Sequence, residues 1–334
     1  MTTMPAIFQR NHLIRDAIGR ALYDGMKLDS AIHLFGEGAH AKIHYDAPKI
    51  EAAFLDRVHT LPISEDGNTN FAVGASLLGI KPVVDVISAD FLYRMMDSIA
   101  NTAAKLNFMR PNEDPKTIVI RAEFLTGGPT TGQRPESLFT HIPGLRVVIP
   151  STPRHAYGLM RTALSTPGVT LFFEDRMIQD NDEWSPSDLI PAGPLPIGAA
   201  SWCHRGRRGN ATIVTYGIMR QVVQRVLRRY TSTNDYPMLC DLIDLVSLAP
   251  IDWNFITKML ERTRYREGWL LIVEPDIQYG GIGAEIAAYY QKCRPRMQVR
   301  RLGAPFATIP ASMALHAQML PSEEDILGAI RSFH

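Results

Sequence analysis

The sequence predicts an α/β protein of two domains, with a doubly wound parallel sheet in the first. The chain has 334 residues, more than a single hydrophobic core usually accommodates. Apolar strand patterns alternate with amphipathic helix patterns, as in parallel sheets that carry helices on both faces. The strand 117–121 is rich in β-branched apolar residues, which is typical of a strand buried on both sides.

The first domain begins with a helix over residues 11–24, where apolar residues recur at helical spacing. A short apolar strand at 31–35 follows and ends at Gly36-Glu37-Gly38. The next elements are a helix at 47–55, a strand at 58–63, an apolar helix that starts after Ser64–Gly67, a strand at 81–86 and a long helix at 91–109. Strands at 117–121, 146–150 and 170–173 and a helix at 155–164 complete the domain.

A change in composition separates the two domains. Prolines lie among glycine, serine and aspartate between about 180 and 209, which is typical of a linker. The predicted domains are therefore residues 1–180 and 210–334, joined by a linker at 181–209. The second domain repeats the alternation, with strands at 211–216, 240–246, 269–273 and 299–302 and helices at 220–230, 256–264, 284–291 and 323–331.

The overall composition excludes several classes of protein. The formal net charge is +1, so the charge balance does not favour nucleic-acid binding. Apolar runs are too short to span a membrane, and the first 20 residues lack the apolar segment of a signal peptide. Three widely spaced cysteines fit neither a zinc spacing nor a redox-motif spacing. We therefore expect a cytoplasmic protein with no metal ligands of its own.

Glu65 is the strongest candidate for a chemical role. It stands where the strand 58–63 turns into the apolar helix, and α/β proteins place their functional groups at such turns. Gly74 and other small residues in that helix allow a close approach by another group. A structural alternative is that Ser64 or Asp66 caps the helix and Glu65 only interacts with its positive end.

The other motifs are weaker. The turn Gly280–Gly283 before a helix resembles an anion-binding loop, but it lacks a complete phosphate motif, and close helix packing is the better interpretation. His141 by itself is more typical of a structural histidine. His40 and His44 lie in a polar stretch without metal partners, which favours a role at the rim of an active site. The chain contains no complete cofactor site, which indicates that it works with a partner.

A set of short stretches carries a family resemblance. In the first domain they are Leu34-Phe35-Gly36-Glu37, Leu61-Pro62-Ile63-Ser64-Glu65, Ala72-Val73-Gly74-Ala75, Asp90-Phe91 and His141-Ile142-Pro143-Gly144-Leu145. In the second they are Ile243-Asp244-Leu245, Pro250-Ile251-Asp252 and Gly280-Gly281-Ile282-Gly283-Ala284-Glu285-Ile286. Together, and in this order, they resemble the β subunit of the E1 component of 2-oxo acid dehydrogenases, within the transketolase-like thiamine-diphosphate enzymes.

This resemblance implies an assembly of two kinds of subunit. Residues 1–180 would form a pyrimidine-binding domain and residues 210–334 a transketolase C-terminal-type domain. In such enzymes the β subunit binds the aminopyrimidine end of thiamine diphosphate. An α subunit holds the diphosphate and its Mg²⁺, and the two assemble as α₂β₂.

The resemblance also assigns roles to individual residues. Glu65 corresponds to the glutamate that hydrogen-bonds the pyrimidine N1′, and Phe91 to an aromatic residue that packs on the ring. Ile63 and Asp90 are expected among the cofactor contacts. Glu37 corresponds to a glutamate near the cofactor, in a proton relay between sites.

The loop before His141 departs from the dehydrogenase pattern. It contains no histidine, whereas the resemblance implies one that helps to pass the acyl group to lipoamide. Thr131 or Arg134 takes its place, depending on the alignment, and Gln133 retains a glutamine of the pattern. His40, or His44, is a candidate for the lost imidazole.

Three functions follow from the resemblance and its departures. The first is an E1-type β subunit that decarboxylates a 2-oxo acid with its α partner and passes the acyl or hydroxyalkyl group to the lipoamide of a lipoyl acyltransferase. The second is a carboligase or split transketolase with a non-lipoyl acceptor, which the missing loop histidine keeps open. The third is a non-catalytic assembly subunit, which the presence of Glu65 disfavours.

Overall fold

The computed structural model describes residues 13–37, 47–178, 186–189, 193–205, 211–230, 240–262 and 268–333. The chain divides into two compact units. The first comprises Met1–Leu125 and Leu138–Ile197, and the second Thr126–Ser137 and Gly198–His334. The loop Thr126–Ser137 therefore belongs to the second unit, although the residues on either side of it belong to the first.

The first half of the chain alternates strands and helices. Its elements are α1 (Leu13–Leu28), β1 (Ile32–Gly36), α2 (Ala47–Ala53), β2 (Val58–Thr60), α3 (Glu65–Leu77), β3 (Lys81–Ser88), α4 (Leu106–Met109), β4 (Thr117–Phe124), α5 (Glu136–Thr140), β5 (Leu145–Val148), α6 (Pro153–Ser165), β6 (Gly168–Asp175) and α7 (Pro186–Leu189). Helix α1 packs against α6, and α3 packs against β3. Strand β2 ends at Thr60, three residues before the predicted end.

Six strands of the first unit form a parallel sheet in the order β5-β6-β4-β3-β1-β2. Strand β4 is buried along its whole length, as its apolar sequence predicted. Leu34 pairs with Val58 on one side and with Val83 on the other, so β1 lies between β2 and β3. The winding direction therefore reverses between β1 and β3, which confirms the predicted doubly wound sheet.

The long helix predicted at 91–109 is not a single α-helix. Ala89–Met95 forms a 3₁₀-helix and Ser98–Ala103 a π-helix before α4 begins. The backbone N–H of Ala104 donates to the carbonyl of Ile99, five residues earlier, and Ser98 Oγ donates to the carbonyl of Met95. Such bonds interrupt the α-helical pattern, so the apolar spacing located the helical segment but not its helical type.

The second half of the chain forms another α/β layer structure. Its elements are β7 (Ser201–His204), β8 (Ala211–Thr215), α8 (Ile218–Tyr230), β9 (Cys240–Asp244), β10 (Ser247–Ala249), α9 (Trp253–Glu261), β11 (Trp269–Ile277), α10 (Ile282–Cys293), β12 (Gln298–Ala304), α11 (Met313–Ala317) and α12 (Glu323–Arg331). Five strands form a sheet in the order β12-β11-β8-β9-β7, in which only β7 runs antiparallel to its neighbour. Strand β7 lies within the segment predicted as a linker. Among the described residues, none of the helices combines the length and the apolarity needed to cross a bilayer.

Candidate active site

The carboxyl ends of β1, β2 and β3 meet at one edge of the first sheet. The backbone N–H of Leu61 donates to the carbonyl of Gly36 at 3.1 Å, and Gly36 pairs with Asp85 on β3. A Cβ atom on Gly36 would lie 2.7 Å from the Asp85 carbonyl oxygen, so only glycine fits this approach. This edge is the topological switch point of the sheet, where α/β proteins bind ligands.

Glu65 occupies the first turn of α3 at this edge. Its side chain is 11% exposed. Ser64, the residue before the helix, makes no side-chain capping hydrogen bond, and Asp66 accepts a hydrogen bond from Asn70 at 3.2 Å. The capping alternative for Ser64 is therefore not found in the structure, and the carboxylate of Glu65 lies beside the positive end of the helix.

Glu37 follows β1 and contacts the turn that carries Glu65. The backbone N–H of Ser64 donates to Glu37 Oε1 at 3.1 Å. Burial raises the pKa of Glu37 above its ordinary value, against the opposing effect of the Ser64 N–H, and repulsion from Glu65 and Asp85 raises it further. The turn thus places Glu37 close to Glu65, and the proton relay stays a prediction.

The 3₁₀-helix Ala89–Met95 supplies the other side of the site. Arg94 Nε lies 3.3 Å from Glu65 Oε2, and the Arg94 side chain is 75% exposed. Phe91 is half-buried on the same helix. Asp90 is buried, and Ser88 Oγ donates to its carboxylate at 2.7 Å. The carboxylate of Asp90 therefore stabilises the start of the helix.

A strained residue redirects the chain into that helix. Ile87 has a φ of 66°, a conformation that costs a β-branched residue energy. Its N–H donates to Asp85 Oδ1 at 3.2 Å, and the β3–β4 register shifts between Asp85 and Ser88. The resulting bulge turns the backbone out of the sheet and places Phe91 beyond the strand end.

Apolar side chains around the site are exposed in this chain. Ile63 is 82% exposed just before Glu65. Phe71 and Gly74 in α3 and Leu78, the residue directly after its end, follow at a spacing of three and four residues, so they continue one face of the helix. We call these three residues the α3 stripe; Phe71 is 54% and Leu78 86% exposed, and a Cβ atom on Gly74 would meet nothing within 4 Å.

A row of buried charges beneath the site escaped the sequence analysis. Arg121 on β4 is 1% exposed, contacts Glu174 Oε1 on β6 at 2.6 Å and lies 3.8 Å from Asp85 Oδ2 on β3. Burial raises the pKa of Glu174, and the attraction of Arg121 opposes this rise. The sequence does show a charged residue in each of these apolar strands. It does not show which strands are neighbours, so it cannot tell which charged residues form pairs.

The remaining predicted residues lie in other places. His40 and His44 are outside the described residues. His141 is exposed, while Thr131 and Gln133 are half-buried. Arg134, the acceptor-loop residue that one alignment places where the dehydrogenases have a histidine, is buried in the second unit, where its Nε donates to Glu136 Oε1 at 3.2 Å.

The glycine-rich turn before α10 is a packing turn. The N–H of Gly283 donates to Glu274 Oε2 at 2.8 Å, and Cβ atoms on Gly281 and Gly283 would each lie 2.6 Å from a Glu274 carboxylate oxygen. A side chain of the same unit therefore takes the position of an anion, and the packing interpretation is confirmed. The part of the chain that the structure describes contains no group of three or more His, Cys, Asp or Glu side chains that could hold a metal ion.

Comparison with known protein families agrees with this architecture. Residues 13–179 match the family "Transketolase, pyrimidine binding domain", and residues 203–326 match "Transketolase, C-terminal domain". A solved structure entitled "Split gene transketolase, inactive beta4 tetramer" has a TM-score of 0.77 at 20% identity, covering 96% of this chain and 97% of its own. The fold is thus that of a transketolase-type pair of domains.

Curated relatives define the family more closely. The chain is 32% identical over 282 residues to "Pyruvate dehydrogenase E1 component subunit beta" of Gracilaria tenuistipitata var. liui, which covers 83% of this chain and 84% of the relative. It is 28% identical over 330 residues to "2-oxoisovalerate dehydrogenase subunit beta 2, mitochondrial" of Arabidopsis thaliana, covering 95% and 87%. The chain belongs to the transketolase-like family of 2-oxo acid dehydrogenase E1 β subunits.

Proposed function

We propose that the chain is the β subunit of a thiamine-diphosphate-dependent enzyme that decarboxylates a 2-oxo acid and passes the acyl group to lipoamide. The observation that carries this proposal is the carboxyl group of Glu65, largely buried at the switch point of the sheet and at the start of α3. Membership of the E1 β family supports the same reaction.

The residues around Glu65 fit the aminopyrimidine end of the cofactor. Glu65 offers a carboxyl group to a ring nitrogen, Phe91 an aromatic surface and Ile63 an exposed apolar surface. Glu65 and Asp85 both lie close enough to Glu37 to repel its charge, and such a concentration of carboxyl groups favours a cofactor with a cationic ring. When bound, thiamine diphosphate supplies the nucleophile and the electron sink for decarboxylation.

In this proposal Glu65 holds a proton at the pyrimidine N1′ and so controls the tautomer of the ring. Arg94 approaches Glu65 from an exposed position, so its long side chain can move into solvent when a ring approaches Glu65. Glu37 fixes the turn through the Ser64 N–H. Its raised pKa also suits it to exchange a proton closer to neutral pH than an ordinary carboxyl group does.

We assign the α3 stripe to the partner subunit. Its exposed apolar side chains follow directly from the helix start that carries Glu65, and Gly74 leaves room for close approach of another backbone. The partner would be an α subunit that holds the diphosphate and Mg²⁺, in an α₂β₂ heterotetramer. In this proposal the partner subunit covers the α3 stripe and also the exposed side chain of Ile63, which precedes the same helix.

The acceptor and the compartment are further parts of the proposal. We assign the loop residues Thr131 and Gln133 to the acceptor, which for lipoamide is carried by a lipoyl acyltransferase. No disulfide joins Cys203, Cys240 and Cys293, which supports a reducing compartment such as the cytoplasm.

Co-production with an α-type subunit tests the proposed function. The purified complex is given pyruvate or 2-oxoisovalerate, thiamine diphosphate and Mg²⁺, with either a free lipoyl domain or an aldehyde as acceptor. Release of CO₂ with acylation of the lipoyl domain is the expected result. Carbon–carbon bond formation with the aldehyde and no lipoyl acylation would identify a carboligase instead. A partner that is fully active without this chain would identify an assembly subunit.

A further inference from the structure

The loop that carries Thr131 and Gln133 is anchored inside the second unit. Residues 131–135 have neither helical nor strand hydrogen bonding. Gly132, Arg134 and Pro135 are buried, whereas Thr131 and Gln133 are half-buried. Thr131 and Gln133 are therefore the least buried side chains of this stretch.

Ser137 fastens the end of this loop to two elements of the second unit. Its Oγ donates to Asp276 Oδ2 at 2.6 Å and accepts from the backbone N–H of Ile282 at 3.1 Å. Asp276 lies on β11 and Ile282 is the first residue of α10. The hydroxyl group of Ser137 therefore connects the loop to the end of β11 and to the start of α10.

Buried contacts fix the rest of the loop. Gly132 has a φ of +107°, and a Cβ atom on it would lie 3.0 Å from Ile309 Cγ2 and 3.2 Å from His316 Cε1. Arg134 is 8% exposed and Glu136 fully buried, and they are joined by the 3.2 Å hydrogen bond. A buried polar group that loses its hydrogen-bond partner costs free energy, so these contacts favour the observed position of the loop on the second unit.

We propose that Ser137 and Asp276 are positioning residues, whose hydrogen bond holds the loop in register and thereby sets the positions of Thr131 and Gln133 for the acceptor. The assignment of the acceptor to these two side chains rests on the proposed function. The anchoring itself rests only on the contacts within the second unit. Neither Ser137 nor Asp276 needs to touch the acceptor.

Ser137→Ala and Ser137→Thr, made in the complete complex, test this inference. The alanine removes both hydrogen bonds, whereas threonine keeps the hydroxyl group. The matched control is Ser247→Ala, because Ser247 is a buried serine of the same unit whose Oγ donates to the Pro250 carbonyl at 3.0 Å. Two readouts are taken: amide hydrogen exchange of peptides covering 126–137, and kinetics with a lipoyl domain and with the small oxidant 2,6-dichlorophenolindophenol.

We expect Ser137→Ala to increase exchange in 126–137 and to lower kcat/KM for the lipoyl domain by about 10- to 100-fold. Dye-linked turnover and the KM for the 2-oxo acid should stay within about twofold, because the dye needs no docked acceptor. Ser137→Thr should restore both readouts, and Ser247→Ala should affect neither.

Two results would overturn the inference: unchanged exchange in 126–137, or an equal loss with lipoyl domain and dye. If the wild-type complex uses an aldehyde as acceptor, the same comparison is made with the aldehyde. If it shows no turnover with any acceptor, the proposed function fails separately, and the exchange result alone decides whether Ser137 anchors the loop.

Discussion

The backbone N–H of Ser64 donates to Glu37 Oε1 at 3.1 Å, one residue before Glu65. This bond connects the end of β1 to the turn that begins α3, across the switch point of the sheet. The carboxylate that holds the turn is also one of the groups whose charge opposes that of Glu65. Support for the turn and electrostatic repulsion thus come from the same side chain.

Replacing Glu37 separates these two effects. Glu37→Gln keeps an oxygen that accepts from Ser64, whereas Glu37→Ala removes it. We expect Glu37→Ala to be less stable than Glu37→Gln by about 1 kcal/mol, the usual net value of one hydrogen bond. Urea unfolding monitored by circular dichroism measures the difference, and equal midpoints for the two variants would show that the bond does not support the turn.

The pH dependence of the Glu37→Gln variant follows from the raised pKa of Glu37. A carboxyl group whose pKa is higher in the folded than in the unfolded state stabilises the fold while it is protonated. That contribution is complete below the ordinary value of 4.5 and is lost as the pH rises through the folded pKa. Glu37→Gln should therefore gain stability relative to wild type as the pH rises from 4 to 8. A difference in Tm that is constant over this range would contradict the prediction.

Glu136 offers a stronger test of the same kind in the second unit. Burial raises the pKa of this fully buried carboxyl group to about 8, against the attraction of Arg134 and with repulsion from Asp276. Its protonated form stabilises the fold, and this contribution is lost as the pH rises through about 8. Thermal unfolding of wild type should thus show a steeper fall in Tm between pH 7 and 9 than Glu136→Gln shows. Glu285→Gln, at an exposed position on α10, is the control and should keep the wild-type slope.

The α3 stripe is tested at Gly74. Leucine at this position meets no atom of the chain within 4 Å of its Cβ, and leucine favours helix formation over glycine by up to about 1 kcal/mol. Gly74→Leu should therefore leave the chain folded and at least as stable, while its bulk prevents close approach of the α subunit. Analytical ultracentrifugation of the co-produced subunits should show loss of the heterotetramer.

Gly328→Leu is the matched control for this substitution. Gly328 lies on α12 and is also an exposed helical glycine whose Cβ would meet nothing within 4 Å. It should leave the assembly intact. A heterotetramer that forms normally with Gly74→Leu would remove the α3 stripe from the proposed interface.

Much of the first unit is predictable from local patterns. The apolar run of β4 and the strand–turn–helix at Glu65 depend on neighbouring residues only, and both are found in the structure. The helical segment after Asp90 was located correctly, but its 3₁₀ and π geometry depends on hydrogen bonds such as that from Ser98 to Met95, which apolar spacing does not reveal.

Long-range pairing explains what sequence reasoning missed. Arg121 and Glu174 lie 53 positions apart in the sequence. They meet only because β4 pairs with β6 in the sheet. Ser137 contacts Asp276, which lies 139 positions away, so the anchoring of the loop 126–137 in the second unit has no local signal. Arg94 was overlooked because its approach to Glu65 depends on the bulge at Ile87.

The most direct test of the account is turnover by Glu65→Gln in the complex with the α subunit. Glutamine keeps the shape of the side chain but cannot hold the proton at N1′, so CO₂ release from the 2-oxo acid should fall about 10³-fold or more, with the heterotetramer intact by ultracentrifugation. Asp66→Asn, one residue further along the same turn and exposed, should stay within about twofold of wild type. Near-normal CO₂ release by an intact Glu65→Gln complex would contradict the account.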